Sequence, residues 1–335
     1  MGAARTVHLP VAAQPDLADL VDVAARAEAL GYRRAWMPET WGRDAVSTLA
    51  TIAARTETIG LGTSIAPVYS RSPALLGQTA ATLQEASAGR FRLGVGPSGP
   101  AVIEGWHGVP FDRPLRRTRE TVEIVRGVLA GDVVDYDGTI FDLDGFRLRC
   151  DPPDPPPGID VSGMGPTAVE LAGRFADGWH ALMLTPAGLR ERLADLRRGA
   201  ERGGRDPSSP RTTLVLNACA LSDGDRAREL VRRHVAFYVG AMGTFYRDAL
   251  ARQGHAATAN TVHDRWQDGD RAAATAAIDD ALLDRLVAAG TPETARERLE
   301  TFAAIDGIDA VAISTPREAT PDEVMATYTA LAPDG

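Results

Sequence analysis

Short runs of β-prone apolar residues alternate with longer amphipathic stretches along nearly the whole chain, and few folds accommodate that order. Val7 to Val11 reads as a strand. Leu17, Leu20, Val21, Ala24 and Ala27 then fall on one helical face between Asp16 and Leu30, and Gly31 suits the stop. The pattern predicts the same pair again at 34–37 with 45–55, 59–65 with 74–87, 90–95 with 115–130, and 159–162 with 166–175. It returns at 178–184 with 187–203, 212–221 with 225–250, and 308–314 with 321–331. Eight β/α units in one chain favour an α/β fold closed as a (β/α)8 TIM barrel over an open, doubly wound sheet. The expectation is therefore one domain over 1–335. Two stretches break the rhythm: 135–150, where Asp137-Gly138 and Asp144-Gly145 signal a hairpin insertion, and 251–290, polar and then helical, which reads as a second insertion.

Charge and composition narrow the function. The net charge is -9, all 36 basic residues are arginines, and no basic stripe is present to supply affinity for a phosphate backbone. Nucleic acid is thus not expected as a partner, and a small-molecule substrate is. Cys150 and Cys219 are too few and too isolated for a disulfide framework, which fits a reducing, cytoplasmic setting. No run approaches the roughly 18 apolar residues of a membrane span, and no apolar signal core is evident near Met1, so no membrane partner is expected. His8, His107, His180, His234, His255 and His263 are scattered without metal-ligand spacing, and no Gly-x-Ser-x-Gly elbow occurs. No metal is expected, and an organic cofactor is the economical source of chemistry.

In such a barrel the loops leaving the C-terminal ends of the strands build the active site. The fifth, Ser162-Gly163-Met164-Gly165-Pro166-Thr167, runs from a strand into a helix with Pro166 at the first helical position. Its free N–H groups suit a phosphate, although a tight turn with a routine cap would look the same. The fourth loop, Gly94-Val95-Gly96-Pro97-Ser98-Gly99, satisfies the dinucleotide-binding glycine pattern only formally. Pro100 follows where a clean helix start should be, and no acidic residue lies about 20 positions on. A glycine-lined loop past which a planar ring can run is the better account. The third loop, Gly60 to Pro67, ends a strand among small residues. The second places Glu39, Thr40 and Trp41 at one strand end, where Glu39 could handle protons or merely cap the next helix. Trp179 and His180 at the sixth strand could line the same pocket, although a lone strand histidine is more often a packing residue.

Several segments together resemble the luciferase-like flavin and deazaflavin oxidoreductases, especially the branch containing methylenetetrahydromethanopterin reductase. They are Ala27-Glu28 with Leu30-Gly31-Tyr32 and Ala35-Trp36, TETIGLGT over 56–63, and Tyr69 to Ala74. Further on come Ala81 to Leu83 and Gly89-Arg90 ahead of LGVGP, Gly163 to Pro166 with LAGRFADG, Asp279 to Leu282, and Ala289 to Glu293. The resemblance spans nearly the whole chain. It implies a bacterial luciferase-like barrel, a homodimer, and a non-proline cis peptide at Ser64-Ile65 backing the cofactor's central ring. It also implies contacts to the cofactor from Pro97 and Ser98, and a phosphate held by Gly163, Met164, Gly165, Pro166 and Thr167. The implied activity is coenzyme F420-dependent hydride transfer with a small organic substrate. The alternatives are an FMN-dependent monooxygenase and a non-catalytic cofactor-binding relative.

Three positions depart from the pattern. Pro10 stands where those reductases carry a glutamate, Glu39-Thr40 replaces the Asp-His of many relatives, and Ser98-Gly99-Pro100 lacks their acidic residue. Glu39 and Thr40 are the catalytic candidates that remain, and Thr40 cannot titrate near neutral pH.

Overall fold

The computed structural model describes residues 2–333. The chain folds as a (β/α)8 TIM barrel, with parallel strands alternating with helices. By density of contacts it divides into two compact units.

One unit comprises Arg33–His180 and Asp195–Arg211. Its strands run Arg34–Met37, Gly60–Thr63, Phe91–Gly96 and Gly158–Ser162, followed by the start of Gly178–Leu182. Each pairs in parallel with the next, in registers that set Arg34 beside Gly60, Leu61 beside Phe91, Arg92 beside Gly158 and Asp160 beside Gly178. Helices Ala45–Ala53 and Pro73–Ala86 start where Asp44 and Ser72 accept the N–H three residues on, which satisfies donors the helix itself cannot. The 135–150 segment is an antiparallel hairpin, Val134–Asp137 with Asp142–Phe146. Its turn is pinned by Glu120, whose carboxylate accepts the N–H groups of Thr139, Ile140 and Phe141 at 3.0, 2.9 and 3.1 Å.

The other unit comprises Met1–Tyr32, Ala181–Ala194 and Thr212–Gly335. Here the strand order is Ala288–Gly290, Arg211–Ala220, Ala310–Ser314, Ala4–His8, all parallel. The first strand lies three residues earlier than its apolar run suggests. Pro10, with no N–H to give to a ladder, falls outside it. The predicted helix 225–250 is two helices, Gly224–Ala241 and Phe245–Leu250, separated where Gly243 takes φ +76°. The insertion continues as Ala256–Gln267, Arg271–Ala276 and Asp280–Leu286. Its apolar faces bury Val262, Ile278, Leu282, Leu283 and Leu286 against Val231, Val235 and Val239, each such side chain contributing about 1.5–3 kcal/mol. In this unit the alternation pattern missed the three-residue strand Ala288–Gly290 and the helix Pro292–Ala303 behind it. A strand that short carries no periodicity of its own.

Candidate functional site

All the site residues named from the sequence fall within the unit that holds the second to fifth strands. The third strand, Gly60–Thr63, is tied to the second by pairing and by Ser64 N–H donating to the Met37 carbonyl at 2.8 Å. The Ser64-Ile65 peptide bond is cis, and extended structure resumes at Ala66–Pro67 beside Val95 and Gly96. The Thr63 hydroxyl locks this bulge to the fourth strand, donating to the Gly94 carbonyl at 2.7 Å and accepting the Gly94 N–H at 2.9 Å. Only glycine fits at 94, since a Cβ there would stand 2.1 Å from the Thr63 carbonyl oxygen. A Cβ on Gly96 would meet Ile65 at 3.2 Å and Ser162 at 3.4 Å, so residues following the third strand and ending the fifth both close on Gly96 at the end of the fourth.

Behind the bulge runs a chain of buried polar groups. Ser64 Oγ lies 2.8 Å from His180 Nδ1, and His180 Nε2 lies 3.3 Å from Asp160 Oδ2. Arg92 donates to the same Oδ2 through Nε at 3.0 Å and to Oδ1 through Nη2. His180 and Asp160 are 1% and 2% exposed. Burial by itself would raise the Asp160 carboxyl, but the Arg92 guanidinium and the hydrogen bond from His180 hold it well below the usual carboxylate range. The Trp36 ring meets the imidazole edge-on, centroids 4.5 Å apart at 81°.

At the end of the second strand Glu39 is buried and committed. Arg71 donates to both its oxygens, with Nη2 2.8 Å from Oε1, and the Ala45 N–H reaches Oε1 at 3.1 Å. Arg71 also grips Asp44, which itself caps the helix starting at Ala45. The carboxylate thus ties the second loop to the third. Thr40 beside it is half-buried, and its hydroxyl makes no hydrogen bond among the described residues.

The fifth loop holds its shape through Trp179 Nε1–H donating to the Gly163 carbonyl at 2.9 Å. Gly163 sits so close to the following helix that a Cβ would stand 2.6 Å from that of Ala168. The helix Pro166–Phe175 begins after Gly165 with no side chain capping it. First-turn N–H groups at a helix start are the kind of group that can hold an anion, and Met164 and Thr167 flank them here. Pro97 and Ser98 are half-buried at the end of the fourth strand, and Ser98 takes a left-handed φ of +60°. Pro100 does start a helix, the short Pro100–Gly105, because a proline at the first position forfeits only an N–H that has no partner there.

Sequence reasoning passed over Asp160, Arg92 and Arg71. A signal was present: an acidic and a basic residue, each inside a run that reads as a fully buried strand, have to pair with something. Which partners they find depends on strand register, and that is not written in either run alone.

Comparison with known proteins finds similar chains. The luciferase-like monooxygenase family profile matches residues 3–309. A protein of Mycobacterium tuberculosis (strain ATCC 25618 / H37Rv), named as a candidate coenzyme F420-dependent oxidoreductase, is 31% identical over 308 residues, covering 84% of this chain and 87% of its own. The 5,10-methylenetetrahydromethanopterin reductase of Archaeoglobus fulgidus is 29% identical over 293 residues, covering 87% of each. Among solved structures, the coenzyme F420-dependent tetrahydromethanopterin reductase of Methanopyrus kandleri superposes with a TM-score of 0.85 at 22% identity, over 99% of this chain and 98% of that one.

Proposed function

The chain belongs to the luciferase-like monooxygenase family, and we propose that it is a coenzyme F420-dependent oxidoreductase that transfers a hydride between the deazaflavin and a small organic substrate. Two similar proteins are named for coenzyme F420. The observation that carries the proposal is the presence in one unit of the Ser64-Ile65 bulge and the uncapped helix start at Pro166. In this reading the bulge would back a planar ring, and the helix start would offer N–H donors to a phosphate.

When bound, the deazaflavin supplies a ring carbon that gives or takes the hydride. Ser64 and Ile65 would wall one face of its ring, with Pro97 and Ser98 alongside, while Gly163, Met164, Gly165, Pro166 and Thr167 would hold its phosphate. The open face is left for a carbonyl, alcohol, imine or activated alkene, and binding in line with the ring would do much of the catalysis. Glu39 is engaged by Arg71, and any proton it moved would have to leave that ion pair. The Thr40 hydroxyl is the neighbouring group available to hydrogen-bond a substrate oxygen or nitrogen.

Titration of the purified protein with oxidised coenzyme F420 and, separately, FMN, followed by quenching of cofactor fluorescence, tests the proposal. Micromolar binding of the deazaflavin alone supports it. A preference for FMN turns the assignment to the monooxygenase chemistry of the family, and saturable binding of neither removes the cofactor site.

A further inference from the structure

We propose that His180 is a positioning residue whose Nδ1 fixes the Ser64 hydroxyl, and through it the bulge that walls the cofactor site. The consequence for binding rests on the cofactor assignment above, whereas the contact belongs to the protein alone.

The direction of each hydrogen bond follows from the partners. Asp160 is a carboxylate and accepts from Arg92 at both oxygens, so the His180 nitrogen facing it, Nε2, is the one that carries a proton toward Asp160 Oδ2. On this proposal Nδ1 carries the lone pair, with the Ser64 hydroxyl 2.8 Å away as its donor. A serine hydroxyl has one hydrogen. With that hydrogen committed to His180, Ser64 is not a hydrogen-bond donor toward a ligand. The imidazole has little freedom to release it. The Trp36 ring closes one side, and Cε1 lies 3.5 Å from where a Gly94 Cβ would stand. In a parallel sheet whose register sets Gly94 beside Asp160 and Ser162 beside His180, the chain of contacts is built into the strands. A wall assembled before the ligand arrives loses less entropy when it binds.

Two substitutions separate the contacts. His180→Gln reaches toward Asp160 but not Ser64, and His180→Asn keeps an acceptor near the Nδ1 position but not the Asp160 contact. Oxidised coenzyme F420 should bind His180→Gln and Ser64→Ala each about tenfold more weakly than wild type. The double variant should lose no more than either alone, and His180→Asn should stay within about threefold. Additive losses of about a hundredfold, or wild-type affinity in His180→Gln, would overturn the proposal. A second readout needs no cofactor. In the free protein, the imidazole 15N spectrum should show a protonated Nε2 and a hydrogen-bonded, unprotonated Nδ1 whose resonance moves in Ser64→Ala. An unmoved Nδ1 resonance overturns the contact. A moved one in a protein that binds no F420 upholds the contact and refutes the cofactor assignment instead.

Discussion

Arg71 holds both oxygens of the Glu39 carboxylate while the same carboxylate receives the Ala45 N–H, so one side chain joins the second loop, the third loop and a helix start. Removing the arginine leaves a buried, uncompensated charge. Arg71→Met should therefore cost about 3 kcal/mol of unfolding free energy at neutral pH, and adding Glu39→Gln should restore part of it. Urea denaturation of the two single variants and the double variant measures both effects. A loss below 1 kcal/mol in Arg71→Met would show that the pair behaves as a solvated surface bridge.

Two glycines near the proposed cofactor should respond in opposite ways. Gly94→Ala drives a methyl group into the Thr63 carbonyl and should cost about 3 kcal/mol or abolish soluble expression. A Cβ on Gly165 meets nothing within 4 Å, so Gly165→Ala should keep wild-type stability. If phosphate approaches the backbone there, that variant should nonetheless bind F420 about tenfold more weakly. Thermal melts and fluorescence titration separate the two outcomes, and unchanged affinity in Gly165→Ala would move the phosphate elsewhere.

His234 should make the fold acid-sensitive. Burial first, then the Arg317 and His8 charges, push its imidazole down to about 3, and its Nδ1 accepts the Arg317 N–H at 3.2 Å. An unfolded histidine titrates near 6.5. Below that pH the unfolded chain binds a proton that the folded chain refuses, so stability present above about pH 6.5 is lost as pH falls toward 3, by up to about 1.4 kcal/mol per unit. Carboxylates titrate in the same window, so the comparison is between wild type and His234→Gln. Urea midpoints between pH 6.5 and 4 should fall less steeply in the variant, and parallel slopes would contradict the assignment.

Glu120 should hold the hairpin turn rather than the barrel. Burial would raise its carboxyl, but the hydrogen bonds from the Ile140, Thr139 and Phe141 backbones bring it below its ordinary value. Glu120→Gln should speed hydrogen exchange at these three amides at least tenfold. Strand amides such as those of Leu93 and Val95 should stay protected, and equal acceleration there would mean that the hairpin and the strands open together.

Much of the fold was legible because it is local. The strand and helix positions followed from residue spacing, and helix starts such as Asp44, Ser72 and Pro166 follow from which side chains can satisfy, or do without, a first-turn N–H. The candidate site was legible in part for the same reason, since loops leaving consecutive strands must gather at one end of a barrel. The three-residue strand Ala288–Gly290 was not legible, because it is shorter than any period.

The sequence by itself determined the order of the eight β/α units, the class of fold and the family to which the loops 60–67, 94–99 and 162–167 belong. Tertiary structure alone decided which charges meet. Arg92 finds Asp160, Asp160 meets His180, His180 meets the Ser64 hydroxyl, and Arg71 occupies Glu39, across separations of 68, 20, 116 and 32 residues. No local propensity encodes such pairings. They arise because a buried charge or donor must be satisfied by whatever group the strand register and the packing of loops bring within about 3 Å.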